Sequence, residues 1–330
     1  MNQPRKENIV EFRGVSKYFK DKKGGILTAV DSVDIAVGRD QVIALVGESG
    51  SGKTTLGRIS VGLIEASKGE VLFDGKDVRK YKKGDLWRRA QYLHQDPYSA
   101  LDPYLTIGEV LERPLRFLSR VAERDQRKDR VSRMMQAIGL ASIPANTKVA
   151  RLSGGEKQRV LLARSFIMTP DFVAADEPTT MVDFIHRNEI LALLRNLRKE
   201  LGTSMLLITH DISVASYLAD YVAIMFRGSV VEYGLRSEVL GNPLHPYTQT
   251  LLSLTPDKLA SGEVRVTDLL QKKRDIALTV RERGCKYETR CPYAFGKCSG
   301  AHPPLERVSG EHLVACYLDH AGAASAPKAF

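Results

Sequence analysis

Residues 41–63 read QVIALVGESGSGKTTLGRISVGL: an apolar run, a glycine-rich octapeptide and a segment of helical character follow one another without a break. QVIALV is nearly continuous in apolar residues, which predicts a buried strand. Residues 47–54, GESGSGKT, have the form G-x4-G-K-T and stand where that strand gives way to a helix. In this context successive backbone N–H groups and the helix N-terminus converge on phosphate oxygens, and glycines leave no side chain in the way. Gly47, Ser49, Gly50 and Gly52 are the expected cradle. Lys53 is expected to neutralise the β- and γ-phosphates of a nucleotide, Thr54 to place its hydroxyl on Mg²⁺, and Thr55 to complete the phosphate contacts.

Outward from this stretch, strand-like runs recur at 29–37 (AVDSVDIAV), 70–75 (EVLFDG), 171–176 (DFVAAD), 204–209 (SMLLIT) and 221–226 (YVAIMF), with helical periodicity between several of them. That alternation predicts an α/β fold. Residues 107–140 read as helices and form a candidate helical subdomain, with the charged stretch ERDQRKDR as a solvated face. FVAA delivers Asp176 and Glu177 to the carboxyl end of a strand, where open parallel sheets bind ligands. Asp176 is expected to bind a water of the Mg²⁺ shell and Glu177 to act as general base on the attacking water. After Gly234 the patterning weakens, which puts a boundary near residue 235.

The whole-chain figures agree with such a fold. At 330 residues, 43% hydrophobic and 27% charged, the chain has the make-up of a globular protein of about two domains, and collagen-like and low-complexity classes are excluded. A formal charge of +10 favours phosphates, nucleic acid or an anionic membrane surface as partners. No apolar run approaches the ~20 residues a bilayer requires. The opening MNQPRKENIV lacks the apolar core of a secretory signal, so a cytoplasmic setting is expected.

Between the phosphate loop and the Asp-Glu pair stands LSGGEKQR, residues 152–159, running into the apolar helix VLLARSFIM. With this signature in this order the chain resembles the ATP-binding cassette family over roughly residues 8–235. The resemblance implies a P-loop ATPase that works as a face-to-face dimer, in which Ser153, Gly154 and Gly155 of one subunit cap the ATP held by the other. It further implies that Gln95 senses Mg²⁺ and the transmembrane partner, that His210 contacts the γ-phosphate and steadies the attacking water, that Asp183 communicates across the dimer, and that Phe19 stacks on adenine, with Tyr18 as its competitor. Two departures stand out: Glu156 occupies a position usually held by Gln, and TTMVD replaces the common S-A-L-D around Asp183.

NPLHPYTQTLLS, residues 242–253, and the four-cysteine tail resemble the oligopeptide/dipeptide importer ATPases. This branch implies a nucleotide-binding domain over residues 1–235 with a helical subdomain at about 96–168, and an importer-type extension over 236–330. The implied partners are a paralogous ATPase in a heterodimer, two permease subunits and an extracytoplasmic solute-binding protein, at the cytoplasmic face of the inner membrane. Peptides, oligosaccharides and nickel chelates are the implied cargo classes, and no nucleic acid is expected. An alternative from another class is a soluble cassette ATPase acting on nucleic acid, ribosomes or iron–sulfur assembly. Cys285, Cys291, Cys298 and Cys316, spaced C-x5-C-x6-C-x17-C, offer soft ligands for Zn²⁺ or a [4Fe–4S] cluster. The absence of a C-x2-C knuckle and the resemblance of the tail favour the cluster.

Overall fold

A computed structural model describes residues 7–20, 24–118, 123–253 and 284–319. Its contacts divide the chain into two compact units, Met1–Ile43 with Thr54–Thr209, and Ala44–Lys53 with His210–Phe330. The chain crosses between them after Ile43, Lys53 and Thr209, whereas the sequence pattern marks a change near residue 235.

The first unit opens with two long antiparallel strands, β1 (Asn8–Lys20) and β2 (Ile26–Gly38). The alternation in β2 buries Val33, Ile35 and Val37, but Val30 is also buried, an odd number of residues away. The register changes between the pairs Val15↔Val33 and Lys17↔Val30, and Ser32 adopts a φ of 49°. A bulge at this point turns both valines to the same face. β3 (Val42–Val46) is buried along its whole length and carries the chain into the second unit; α1 (Lys53–Ser60) brings it back. β4 (Lys68–Phe73) and β5 (Lys76–Asp77) then complete a four-stranded sheet in the order β2-β1-β4-β5.

α2 (Lys83–Arg89) leads into β6 (Ala90–Leu93), followed by the helical region: α3 (Pro97–Ala100), α4 (Ile107–Phe117), α5 (Arg124–Ala137) and α6 (Gly154–Phe166). α4 starts at a capping box in which the Thr106 hydroxyl accepts from the Glu109 N–H and the Glu109 carboxylate accepts from the Thr106 N–H. It buries Ile107, Val110, Leu111 and Leu115, one stripe at helical spacing. In α5 only Val131 and Met135 are buried, so ERDQRKDR is a solvated surface as its charge predicts. β7 (Phe172–Asp176), α7 (Phe184–Leu201) and β8 (Ser204–Thr209) close the unit. β6, β7 and β8 pair in parallel, with Ala90 opposite Phe172 and Phe172 opposite Ser204. β7 and β8 are buried throughout, which is why FVAA and MLLI read as unbroken apolar runs.

In the second unit α8 (Ile212–Leu218) precedes the antiparallel pair β9 (Tyr221–Phe226) and β10 (Ser229–Leu235). α9 (Arg236–Gly241) and α10 (Pro246–Ser253) follow, and the short hairpin β11 (Glu306–Ser309)–β12 (His312–Val314) returns to the sheet, with Val314 opposite Glu232 of β10. A buried carboxylate organises this return. Glu232, wholly inaccessible, accepts the N–H groups of Leu244 (2.8 Å) and His245 (3.0 Å), and its Oε1 lies 2.7 Å from His312 Nε2. The segment in which the sequence pattern fades is thus held partly by polar contacts, which add no hydrophobic period to read.

Candidate functional site

The phosphate loop lies in the second unit, immediately beyond β3. Gly47 has no room for a side chain, since a Cβ there would stand 2.1 Å from the carbonyl oxygen of Met225. Gly50 (φ 80°) and Gly52 (φ 101°) occupy the left-handed region that only glycine adopts without strain. Ser49 and Gly50 are exposed, and Gly228 donates its N–H to the carbonyl of Ser51 at 2.9 Å, fixing the turn from below. Lys53 is buried, and its ammonium donates to the carbonyls of Gly47 and Glu48, both at 2.8 Å. It therefore folds back across the loop it serves.

The next residue, Thr54, belongs to the first unit, with Thr55 behind it in α1. The Thr54 hydroxyl donates to Asp176 Oδ1 at 3.1 Å, and the Tyr92 hydroxyl donates to Asp176 Oδ2 at 2.6 Å. Asp176 is buried, and desolvation pushes its carboxyl above the usual range against the pull of those two hydroxyls. A buried, hydroxyl-bonded carboxylate beside a threonine hydroxyl is a hard-oxygen donor set that suits a hydrated Mg²⁺, which takes one or two protein oxygens and completes its shell with phosphates and water. Glu177 follows with a φ of 47°, its N–H donating to the carbonyl of Ile208 (2.9 Å) and its Oε2 accepting from the Thr180 hydroxyl (3.0 Å). A non-glycine residue held at positive φ stores strain, a recurrent feature of functional turns.

Ser153 is the N-cap of α6, and Gly154 and Gly155 form its first turn. The Glu156 N–H donates to the Ser153 hydroxyl at 3.3 Å, and Glu156 Oε2 accepts the Ser153 N–H at 2.7 Å. Glu156, the departure noted in the signature, thus closes a capping box that Gln would also serve. Asp183 caps α7 and accepts the His186 N–H at 3.1 Å. Gln95 is exposed in the bend after β6, and His210 is exposed just beyond β8. Phe19, near the end of β1, is 39% exposed with Lys17 5.3 Å over its ring, so one aromatic face is presented outward from the sheet.

Tyr92 and Gln158 were missed at the level of sequence. Tyr92 is the one hydroxyl in the apolar strand AQYL, and Gln158 is a buried amide in LSGGEKQR that donates to the carbonyl of Pro178 at 2.6 Å. A polar side chain at a position the pattern requires to be apolar was the available signal in both.

The four cysteines are free thiols. They are neighbours: the Cys285 N–H donates to the Cys298 carbonyl at 2.7 Å, and burial, reinforced by the other three cysteines, pushes the Cys316 thiol up to about 11. Among the described residues, however, no group of three or more His, Cys, Asp and Glu is arranged to hold a metal ion. The geometry therefore gives no support to the expected cluster or to zinc.

Comparison with known proteins agrees with this arrangement. Residues 30–180 match the ABC transporter family, and residues 231–298 match the C-terminal region of oligopeptide/dipeptide transporters. The dipeptide transport ATP-binding protein DppF of Escherichia coli is 35% identical over 311 residues, 92% of each chain. The oligopeptide transport ATP-binding protein AppF of Bacillus subtilis is 31% identical over 328 residues, 96% of this chain and 99% of the relative. Among solved structures, a dimeric ATP-binding cassette in a post-hydrolysis state with ADP and phosphate matches with a TM-score of 0.62 and 29% identity, over 69% of this chain and 98% of that one. Nothing among these relatives supports the alternative of an ATPase for nucleic acid, ribosomes or iron–sulfur assembly. The chain belongs to the ABC transporter family, as an ATP-hydrolysing subunit of its oligopeptide/dipeptide branch.

Proposed function

We propose that this chain powers peptide import by hydrolysing ATP at the cytoplasmic face of a membrane, as one of two paralogous ATPases bound to two permease subunits that receive cargo from a solute-binding protein. The observation that carries the catalytic part is the Thr54–Asp176 hydrogen bond at 3.1 Å, because it joins the phosphate-loop hydroxyl to the strand-end carboxylate. Lys53 and the loop N–H groups hold the phosphates, and Phe19 stacks on the base. Thr54, Asp176 and Gln95 would hold Mg²⁺, which would supply positive charge to the phosphates. Glu177 takes the proton of the attacking water and His210 steadies that water. Ser153, Gly154 and Gly155 cap the nucleotide of the partner ATPase, across which Asp183 communicates. The ATPase portion is residues 1–235 and the importer-type extension 236–330.

Support for the permease contact comes from the helical region of the first unit. A cavity of about 320 Å³ there is lined by Leu101, Leu105, Val110, Pro114, Phe117 and Arg164. Its rim residue Phe117 is 74% exposed. An apolar pocket of this form suits the cytoplasmic helix of a permease. No helix among the described residues is long and apolar enough to cross a membrane, consistent with attachment through partners. The [4Fe–4S] cluster stays a proposal resting on the sequence alone, the spacing C-x5-C-x6-C-x17-C and the resemblance of the tail; iron and sulfide at about four each per chain after anaerobic purification is its test.

The function is tested by measuring ATP turnover of the chain alone, with its paralogue, and in the full complex in lipid, with and without peptide-loaded binding protein. Turnover should be weak alone and rise with loaded binding protein in the complex. Equal turnover in every case would sink the transport reading.

A further inference from the structure

The first residue after Gly47 is gripped from three directions. The carbonyl of Glu48 accepts from Lys53 Nζ at 2.8 Å, its N–H donates to the Tyr247 hydroxyl at 3.0 Å, and its carboxylate accepts both terminal nitrogens of Arg290, at 3.0 and 2.9 Å. Tyr247 lies on α10 in the HPYT segment, and Arg290 immediately precedes Cys291 in the cysteine-bearing segment. All of these residues belong to the second unit.

The grip is built into a packed cluster. Tyr247 and Tyr287 are almost inaccessible, with ring centroids 5.4 Å apart, and both pack on Phe226 at the end of β9, at 4.6 and 5.3 Å. The Arg290 guanidinium lies 5.6 Å over the Phe226 ring and 5.7 Å over that of Tyr287. Lys286 ties the same segment to the β9–β10 turn through the Arg227 carbonyl (2.9 Å) and the Ser229 hydroxyl (2.7 Å). A planar guanidinium fixed on aromatic rings and paired through two parallel hydrogen bonds defines the position of a carboxylate more narrowly than a single surface ion pair does.

We propose that Arg290 and Tyr247 are positioning residues for the phosphate loop: by fixing Glu48 they hold the loop backbone, and with it Lys53, in the form that receives nucleotide. The extension thereby sets the affinity of the ATPase for its substrate. This rests on the reading of residues 47–54 as the ATP site, so the test includes a variant of that site.

The measurement is the affinity of the full-length protein for a fluorescent ATP analogue with Mg²⁺, alongside the KM and kcat for ATP in the assembled complex. Lys53→Ala should abolish analogue binding; binding that survives it sinks the site reading itself. Arg290→Gln, Glu48→Gln and Tyr247→Phe should each weaken binding by about threefold to tenfold, raising KM with kcat within twofold. The double variant Glu48→Gln/Arg290→Gln should be no weaker than the worse single variant, and Arg290→Lys should recover part of the loss. Unchanged affinity in the folded Arg290 and Tyr247 variants, with Lys53→Ala still unable to bind the analogue, overturns the positioning role alone. So do losses from Glu48→Gln and Arg290→Gln that multiply in the double variant. If Arg290→Gln does not fold, Tyr247→Phe decides by the same criterion, because it removes one oxygen and keeps the ring.

Discussion

Asp176, the proposed Mg²⁺ carboxylate, shows what a buried charge costs a fold. Burial raises the cost of its charge, and the two hydroxyls from Thr54 and Tyr92 offset only part of that cost. An acid whose folded pKa is raised destabilises the protein once pH exceeds the unfolded value, and the cost is relieved as pH falls through the folded one. Asp176→Asn keeps an acceptor for the hydroxyls and removes the charge. The protein without nucleotide should then melt about 2–4 °C higher at neutral pH, while the further rise in Tm on adding Mg²⁺ and ATP should vanish. A variant that melts lower, or keeps that rise, would contradict this account. Glu177, held at positive φ and tethered by Thr180, is the proposed base. Glu177→Gln should retain ATP binding and lose about 10²-fold or more in turnover in the assembled complex.

At the level of the element, the start of α6 carries two duties that can be separated. The capping box of Ser153 and Glu156 stabilises the helix, and the same serine is the proposed contact to the partner's nucleotide. Ser153→Ala should cost about 1 kcal/mol in chemical denaturation and, beyond that, lower turnover in the dimeric complex. Glu156→Gln preserves the box, so stability and turnover should stay within twofold of the parent; a larger loss would mean that the carboxylate itself is needed. Another junction is electrostatic. The Arg89 hydrogen bond, aided by Arg39, holds the Asp74 carboxyl below its usual range, and Arg89 also binds Asp171 at 2.5 Å, just before β7. A depressed carboxyl stabilises above its unfolded pKa and loses that contribution as pH falls through the folded one. Asp74→Asn should therefore lower Tm near neutrality and flatten its decline below about pH 4.

Over the molecule as a whole, the C-terminal segment is kept in part by groups that hydropathy cannot see. β12 is three residues long, and its His312 is 2% exposed against a Glu232 that is fully buried. His312→Ala takes one hydrogen-bond partner from a buried carboxylate that keeps the N–H groups of Leu244 and His245, so it should destabilise the protein by about 1–3 kcal/mol in urea melts, a loss that a surface histidine would not give. The HPYT segment has the same character: Pro246 begins α10, where its missing N–H costs no helical bond, while the contact of Tyr247 with Glu48 spans 199 residues and leaves no local trace.

The sequence by itself determined the α/β class, the buried strands at residues 42–46, 172–176 and 204–209, the phosphate loop, the Asp-Glu pair and the signature turn. Each of these is local: an apolar run buried on both faces, a glycine forced by backbone geometry, or a serine capping the helix it precedes. The tertiary structure decided what depends on distance along the chain. It brought the Tyr92 hydroxyl to Asp176, seated Arg290 on Glu48, returned β12 to β10 and set the bulge at Ser32 that turns Val30 and Val33 to one face. Such partners are chosen by the folded backbone, because a hydrogen bond or an ion pair needs only two groups to meet and imposes no period on the residues between them.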